Sequence, residues 1–293
     1  MKIILKSIRR ARVPAQAIAL TQTLVLACLC VPSAMAADGR IKGTGGVSSS
    51  SGAGGGGLLP WATLTGHATR EEWAGSAFLT RIDIDDFTLD VAGVGINLHD
   101  RVELSYARRK FTIKASGGQI RQDSIGFKYR LGGDLLYGSL PQIVIGAERS
   151  LLRDAATARA VGARETHGTD LYVGAARAWI DGLFNRTSFV NVNARYSTAN
   201  QFGLLGYGGD DMDARTHLEA AAGLFVTRSW VVGAEYRHKS DNLLALKEDS
   251  ATDLFVAWFP SKQLSVTAAW VALGRIAGSA EQNGVYLSVQ GAL

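Results

Sequence analysis

Apolar and polar side chains alternate along most of this chain, from residue 61 to the last residue. The alternation is clearest at 101–107 (RVELSYA), 124–131 (SIGFKYRL) and 190–196 (VNVNARY). A period of two places the apolar side chains on one face of a β-strand and the polar side chains on the other. No stretch of useful length has the 3.6-residue period of an amphipathic helix. We therefore predict an all-β chain.

Further stretches with the same alternation bring the expected number of strands to twelve. They are 77–83, 87–97, 142–149, 169–178, 216–225, 229–237, 252–259, 264–273 and 284–293. Short connections such as 226–228 alternate with long ones such as 238–251. Short turns at one rim and longer loops at the other are typical of outer-membrane proteins. The pattern predicts a transmembrane antiparallel up-and-down β-barrel of about 12 strands (10–14). A soluble β-sandwich is the minor alternative.

The first 36 residues have a different composition. Five basic side chains and no acidic one lie in MKIILKSIRRARV, and the apolar run AIALTQTLVLACLCV and the triplet AMA follow. This order is typical of a secretory signal, and the apolar run is shorter than the ~20 residues that a spanning helix needs. We expect residues 1–36 to be a signal peptide, cleaved between Ala36 and Ala37. The location expected for the mature protein is the bacterial outer membrane.

Removal of the signal peptide changes the charge of the protein. The whole chain carries 31 Lys and Arg against 26 Asp and Glu, and the five basic residues of the signal reduce the mature chain to 26 against 26. The basic pI therefore gives no indication of a nucleic-acid partner, and we expect none. Cys28 and Cys30 also lie in the signal, so the mature chain is expected to lack disulfides and thiolate chemistry.

Residues 37–60 are rich in glycine and serine and too poor in apolar side chains to form a core. We expect this segment to be flexible or to act as a plug, with the barrel at 61–293. Its GAGGGG motif lacks the Lys-Ser/Thr ending of a phosphate-binding loop, so nucleotide binding is not predicted. No cofactor is expected.

The polar side chains of a membrane barrel face its interior. We predict that the lumen is lined by charged residues of both signs, namely Glu103, Lys128, Arg130, Arg195, Glu219 and Glu235. Two interpretations stay open. The lumen could conduct or bind a small solute selected by charge, or it could be a salt-bridged filling with no transport role.

Several stretches resemble one known family. KGTGGVSSSSGAGGGGLLPWATL near the N-terminus and FVAWFPSKQLSVTAAWVALGRIAGSAEQNGVYLSVQ near the C-terminus, with VELSYARRKF and EYRHKSDNL between them, look like the proteobacterial family DUF3034, a domain of unknown function. The resemblance implies export and an outer-membrane barrel. It implies no catalytic residue, substrate or cofactor.

The last strand has its own resemblance. Its apolar face ends at Leu293 and is similar to the C-terminal assembly signal of outer-membrane barrels, although that signal more typically ends in Phe. The expected partners are therefore outer-membrane lipid and the barrel-assembly machinery. The sequence indicates no oligomeric state.

One short motif suggests an alternative function. His238 lies two residues before Ser240, which is similar to the arrangement in the outer-membrane phospholipase and the lipid A deacylase. In this alternative Ser240 attacks a lipid ester, His238 takes its proton, and Asp253 or Glu248 orients the imidazole. Because such a triplet arises easily by chance, an enzyme is not the preferred interpretation.

Two further possibilities complete the expectations. The acidic stretch at 210–213 does not have EF-hand spacing, and the spacing of the remaining histidines is not typical of a metal site, so no metal is predicted. The third hypothesis is a structural or adhesion barrel without a pore, in which the loops at 150–168 and 197–215 carry the binding.

Overall fold

The structure is a computed structural model that describes residues 42–209, 214–243 and 246–293. The expected signal peptide at 1–36, its cleavage site at Ala36 and Ala37, and the acidic stretch at 210–213 lie outside the described residues.

Twelve antiparallel strands form a closed barrel, which confirms the predicted fold and strand number. Each strand pairs with its neighbours in sequence, and the last strand pairs with the first to close the cylinder. The strands are β3 (Trp73–Ile84), β4 (Phe87–Leu98), β5 (Val102–Ile113), β6 (Gln119–Gly132), β7 (Gln142–Leu152), β8 (His167–Trp179), β9 (Ser188–Ser197), β10 (Arg215–Phe225), β11 (Trp230–Arg237), β12 (Ala251–Trp258), β13 (Leu264–Arg275) and β14 (Glu281–Ala292).

Short elements lie outside the barrel wall. The two-residue strands β1 (Val47–Ser48) and β2 (Gly54–Gly55) pair with each other before the first barrel strand. The helix α1 (Ala155–Ala160) lies in the connection between β7 and β8. No helix among the described residues is long and apolar enough to cross a membrane.

The two rims of the barrel differ in their connections. We call the rim with Trp73 and Leu293 the turn end; it also carries the turns at 99–101, 133–141, 180–187, 226–229 and 259–263. The opposite rim, the loop end, carries the connections at 85–86, 114–118, 153–166, 198–214, 238–250 and 276–280. The three longest connections lie at the loop end as expected, but those at 85–86, 114–118 and 276–280 are short, and those at 133–141 and 180–187 are longer than expected for the turn end.

The outward face of the wall is apolar. Ile125 and Leu254 are 63% and 62% exposed, and Phe127, Leu131 and Val256 on the same strands are exposed as well. At the turn end Trp230 and Trp258 are register partners whose rings stack at 5.7 Å. An apolar band with aromatic residues at its rim is the surface that a barrel presents to lipid, so this barrel spans a membrane.

A stretch of chain that precedes the first strand occupies the interior. We call residues 42–72 the inner segment. Leu59 and Ala62 within it have no exposed surface, and Trp61 is also buried. Inward-facing side chains of the barrel wall surround these residues and hydrogen-bond to them. The interior of the barrel is therefore filled by its own N-terminal chain.

Candidate functional site: the filled lumen

Inward-facing charged residues of β5 to β11 form a network that we call the charged belt. Its members are Glu103, Lys128, Glu148, Asp170, Arg195, Glu219, Glu235 and Arg237, and all of them are buried. They face inward because side chains alternate between the two faces of a strand. The outer face meets lipid, so the polar side chains lie on the inner face.

Arg195 is the centre of one half of the charged belt. Its guanidinium lies 2.5 Å from Glu148, 2.6 Å from Glu219 and 3.4 Å from Asp170. Glu219 also pairs with Arg237 at 3.1 Å. Buried charges are tolerated when they are paired and hydrogen-bonded in this way.

Glu103 and Lys128 form the other half and hold the inner segment. The Lys128 ammonium donates to the carbonyls of Gly54 (2.7 Å) and Thr63 (2.8 Å) and lies 3.3 Å from Glu103. The Glu103 carboxylate accepts hydrogen bonds from the backbone N–H groups of Gly54 (2.8 Å) and Thr65 (2.7 Å). One ion pair therefore binds two stretches of the inner segment, at Gly54 and at 63–65, through their backbone.

Glu235 and Arg237 hold the tip of the inner segment. The Glu235 carboxylate accepts from the Leu58 N–H and from the Trp61 indole N–H, both at 2.8 Å. Arg237 donates to the Leu58 carbonyl at 2.7 Å. The wall therefore supplies both an acceptor and a donor to Leu58.

Amide side chains of the wall continue the same pattern. Asn191 accepts from the Ala62 N–H at 2.7 Å, and Gln142 donates to the Ala62 carbonyl at 2.6 Å. Asn193 donates to the Pro60 carbonyl at 2.6 Å. Alternation with apolar residues in β9 predicts the inward position of Asn191 and Asn193, but these amides and Gln142 were not among the predicted lumen-lining residues.

The glycines of the inner segment permit this close approach of backbone to wall. A Cβ atom on Gly56 would lie 1.7 Å from the Glu235 carboxylate. A Cβ atom on Gly54 would lie 2.9 Å from Glu103. The Gly-rich composition thus allows the backbone to reach the charged side chains that bind it.

The six predicted lumen residues have different positions and partners in the structure. Glu103, Lys128 and Glu235 bind the inner segment, while Arg195 and Glu219 belong to the ion-pair network. Arg130 lies apart from them at the turn end, where it pairs with Asp100 and donates to the Gly133 carbonyl at 2.6 Å.

Part of the connection between β9 and β10 folds into the loop end of the lumen, and we call residues 198–209 the inward loop. The carbonyl of Gly203 accepts from Gln122 at 2.7 Å, and that of Phe202 accepts from Arg109 at 3.2 Å. The Phe202 ring lies 4.4 Å from the Arg237 guanidinium. The inward loop therefore covers the inner segment from the loop end.

A partly buried acid and a buried base fix the inward loop. The Glu248 carboxylate accepts from the Gln201 N–H at 2.9 Å, and Lys239 donates to the Gln201 side chain at 3.1 Å. Burial raises the pKa of Glu248 to about 8 and lowers the pKa of Lys239 to about 8. Both groups lie beyond the ends of the spanning strands. Their protonation, and with it the contacts of the inward loop, therefore depends on the pH of the medium.

The residues of the predicted acyl-hydrolase motif do not form a triad. The Ser240 hydroxyl contacts His217 at 2.8 Å, whereas His238 is exposed and contacts Ser250 at 3.2 Å. The reason is that β11 ends at Arg237, so the period of two no longer relates the two side chains. Asp253 faces the lumen as the register partner of Glu235.

The Ser240 and His217 contact is the arrangement nearest to a catalytic pair. Both side chains are buried, and the second ring nitrogen of His217 has no hydrogen-bond partner among the described residues. The pair therefore lacks the third group that orients the base in a hydrolytic triad. In the described ranges, no three His, Cys, Asp or Glu side chains are grouped so that they could hold a metal ion.

Part of the wall is apolar and leaves open space, which we call the apolar chamber. Phe189, Phe225, Phe255 and Phe259 line it together with Trp61 of the inner segment. It contains about 880 Å³ of empty space, counted with its opening at the turn end. One part of the barrel wall therefore binds the backbone of the inner segment, and another part borders a cavity.

Solved structures with a similar fold are outer-membrane barrels. The NanC porin is 9% identical with a TM-score of 0.50, covering 74% of this chain and 100% of its own. Omp33 from Acinetobacter baumannii is 11% identical with a TM-score of 0.47, covering 77% and 100%. Outer membrane phospholipase A from Escherichia coli is 9% identical with a TM-score of 0.40, covering 76% and 97%. At these identities the likeness shows the fold alone.

The comparison with protein families covers most of the chain. No curated protein matches this chain. The model of the family described as "Protein of unknown function (DUF3034)" matches residues 44–290, which include most of the inner segment and nearly the whole barrel. The closed fold and the apolar outward face make the chain a membrane-spanning β-barrel, and the match shows that it belongs to the DUF3034 family.

Proposed function

We propose that this protein is a channel for small solutes in the outer membrane of a Gram-negative bacterium, and that the inner segment is its plug. The observation that carries the proposal is the way the wall holds the segment: charged and amide side chains of the barrel bind its backbone groups. Barrels larger than eight strands have an interior wider than side chains alone can fill, so the segment occupies space that is otherwise a pore.

The chemistry of these contacts supports a movable plug. A hydrogen bond to a charged group contributes about 1.5–3 kcal/mol, and water can replace the backbone as the partner of a carboxylate or an ammonium. Glu103, Lys128 and Glu235 therefore stay satisfied when the segment leaves and water enters. Apolar packing against the same wall would not have this property.

The orientation follows from export and loop length. We infer that residues 1–36 are a signal peptide removed between Ala36 and Ala37, that the turn end faces the periplasm, and that the loop end faces outward. The strand β14, which ends at Ala292 beside Leu293, is then the segment that the barrel-assembly machinery recognises. Outer-membrane lipid covers the apolar outward face.

Planar-bilayer recordings test the plug directly. The mature protein is expected to be closed for most of the recording, and a variant that lacks residues 43–66 is expected to conduct steadily. Folding of the variant is checked by its resistance to unfolding in cold detergent. A folded variant without conductance contradicts the proposal and favours a structural barrel.

A second variant avoids the deletion. Glu103→Gln combined with Lys128→Met removes both charges at once, so no unpaired buried charge is left. We expect more frequent openings than in the mature protein, because the inner segment loses its charged hydrogen bonds. Arg149→Ala, at an outward arginine, is the matched control and is expected to leave the openings unchanged.

A further inference from the structure

We propose that the apolar chamber binds a small neutral amphiphile, a molecule with an apolar body and one hydroxyl group. This deepens the proposed channel function by naming the class of solute, although binding in the chamber does not itself require a pore.

The chamber shares strands with the charged belt but lies nearer the turn end, where Phe189 is six residues before Arg195 on β9. Phe189 comes from β9 and Phe255 from β12, and Ala257 and Ala269 face the space between the rings. The Trp61 ring packs 4.8 Å from the Phe189 ring and closes the inner side. Each of these side chains is held on a strand or on the hydrogen-bonded inner segment.

Such a wall cannot collapse to remove the empty space. The hydrogen bonds between strands set the diameter of the barrel, and Glu235 fixes Trp61 through its indole N–H. A rigid apolar cavity stays poorly hydrated and takes up apolar molecules. The chamber is therefore preformed for a small apolar body.

Two polar atoms in the chamber indicate which polar group its ligand carries. The Thr267 hydroxyl and one carboxylate oxygen of Asp253 are buried, and neither has a hydrogen-bond partner among the described residues. Most buried polar atoms in proteins are hydrogen-bonded. A ligand with a hydroxyl group can donate to Asp253, and it can donate to or accept from Thr267.

The charged groups of the chamber favour a neutral ligand. Asp253 lines the chamber, so an anionic head group beside Thr267 would meet its carboxyl group. Lys42 also lines the chamber, but its ammonium group donates to the Pro260 carbonyl at 2.9 Å. The wall that lines the chamber offers aromatic rings and small aliphatic groups around them. An aromatic or aliphatic alcohol fits both features better than a fatty acid does.

Trp61 provides a reporter for binding. The other tryptophans, at 73, 179, 230, 258 and 270, all point outward, so their replacement by Phe leaves Trp61 as the single tryptophan of the full mature chain. The probes are 4-bromobenzyl alcohol, whose bromine quenches a neighbouring indole, and 4-bromotoluene, which lacks the hydroxyl. The expected result is saturable quenching by both, with the alcohol bound about tenfold more tightly because of its hydrogen bond.

Three variants make the test specific. Ala269→Phe fills the chamber and should abolish saturable quenching, while Ala268→Phe, on the lipid side of the same strand, should not change it. Thr267→Val should weaken binding of the alcohol and leave binding of 4-bromotoluene unchanged. Non-saturable quenching, or equal quenching in both alanine variants, overturns the chamber as a binding site. An alcohol preference that is undiminished in Thr267→Val overturns the assignment of the hydroxyl.

The outcome is separable from that of the channel. Binding is measured by fluorescence and conduction by current, so a protein that binds the alcohol but does not conduct after removal of residues 43–66 refutes only the channel. A protein that conducts but shows no saturable quenching refutes only the chamber.

Discussion

The charged belt and the apolar chamber lie in one lumen and treat the inner segment in opposite ways. The charged belt, centred on Glu103, Lys128 and Arg195, contacts backbone and leaves little space. The apolar chamber, lined by Phe189 and Phe255, contacts side chains and leaves a cavity. The difference shows that one part of the barrel wall holds the segment, while another part leaves space beside it.

The largest expected effect is loss of the central cation of the charged belt. Arg195→Ala leaves Glu148, Asp170 and Glu219 without their shared partner, and removal of one member of a buried ion pair costs about 3–5 kcal/mol. The free energy of unfolding in urea, measured in lipid vesicles, checks this value. Arg149→Ala, at an outward position, should change it by less than about 0.5 kcal/mol. Equal losses in the two variants would show that the charged belt is not the stabilising part.

A smaller effect is expected from one added methyl group. Gly56→Ala places a Cβ atom against Glu235, so the tip of the inner segment has to move at a cost of about 1–3 kcal/mol. We expect faster protease cleavage of residues 42–72 in the folded barrel. Gly132→Ala is the matched control, because nothing lies within 4 Å of its added atom. Unchanged cleavage in Gly56→Ala would mean that the segment is not held where the structure places it.

The inward loop should respond to pH through Glu248. Its pKa is about 8 in the folded protein against 4.5 when free, so the folded form holds an extra proton between these values and loses stability as pH rises from 4.5 to 8. Lys239 acts in the opposite sense above pH 8, because its folded pKa lies below 10.5. Hydrogen exchange at the Gln201 amide measures the opening.

The control for this pH effect is Glu248→Gln. The glutamine stays neutral, so the dependence of Gln201 protection between pH 4.5 and 8 should disappear once intrinsic exchange rates are subtracted. A dependence that persists in Glu248→Gln would assign the titration to another group.

The smallest expected effect concerns the hydrolase alternative. Ser240 contacts His217 instead of His238, and no third group orients the histidine among the described residues. We therefore expect no phospholipid hydrolysis in detergent, either by the mature protein or by Ser240→Ala. Turnover by the mature protein that is lost in Ser240→Ala and also in His217→Ala would restore the enzyme.

The barrel could be predicted because its signal is local. Alternation within single strands found all twelve, and the errors lie at their ends. The strand β5 was expected to stop at residue 107 but continues to Ile113, since Arg108 and Lys110 point outward there and interrupt the apolar pattern. Charged residues on the outward face beyond the lipid look like the beginning of a loop in the sequence.

The site could be predicted only in part, because its contacts span long distances in sequence. Alternation identified Glu103, Lys128 and Glu235 as inward-facing charges, but Leu58 and Glu235 are 177 residues apart. The glycines at 54–57 suggested flexibility, since composition alone does not show the partner that a bare backbone approaches. Spacing suggested His238 for Ser240, whereas the contact comes from His217 on a neighbouring strand.

The seam between β14 and β3 has a consequence for assembly. The inner segment immediately precedes β3, and β3 finds its second partner only in the last strand of the chain. The cylinder is therefore completed only after the segment is already attached to its opening edge, and every later strand is laid down around it. A barrel made in this order encloses its occupant at the moment of closure, with no need for the segment to thread back through a finished ring.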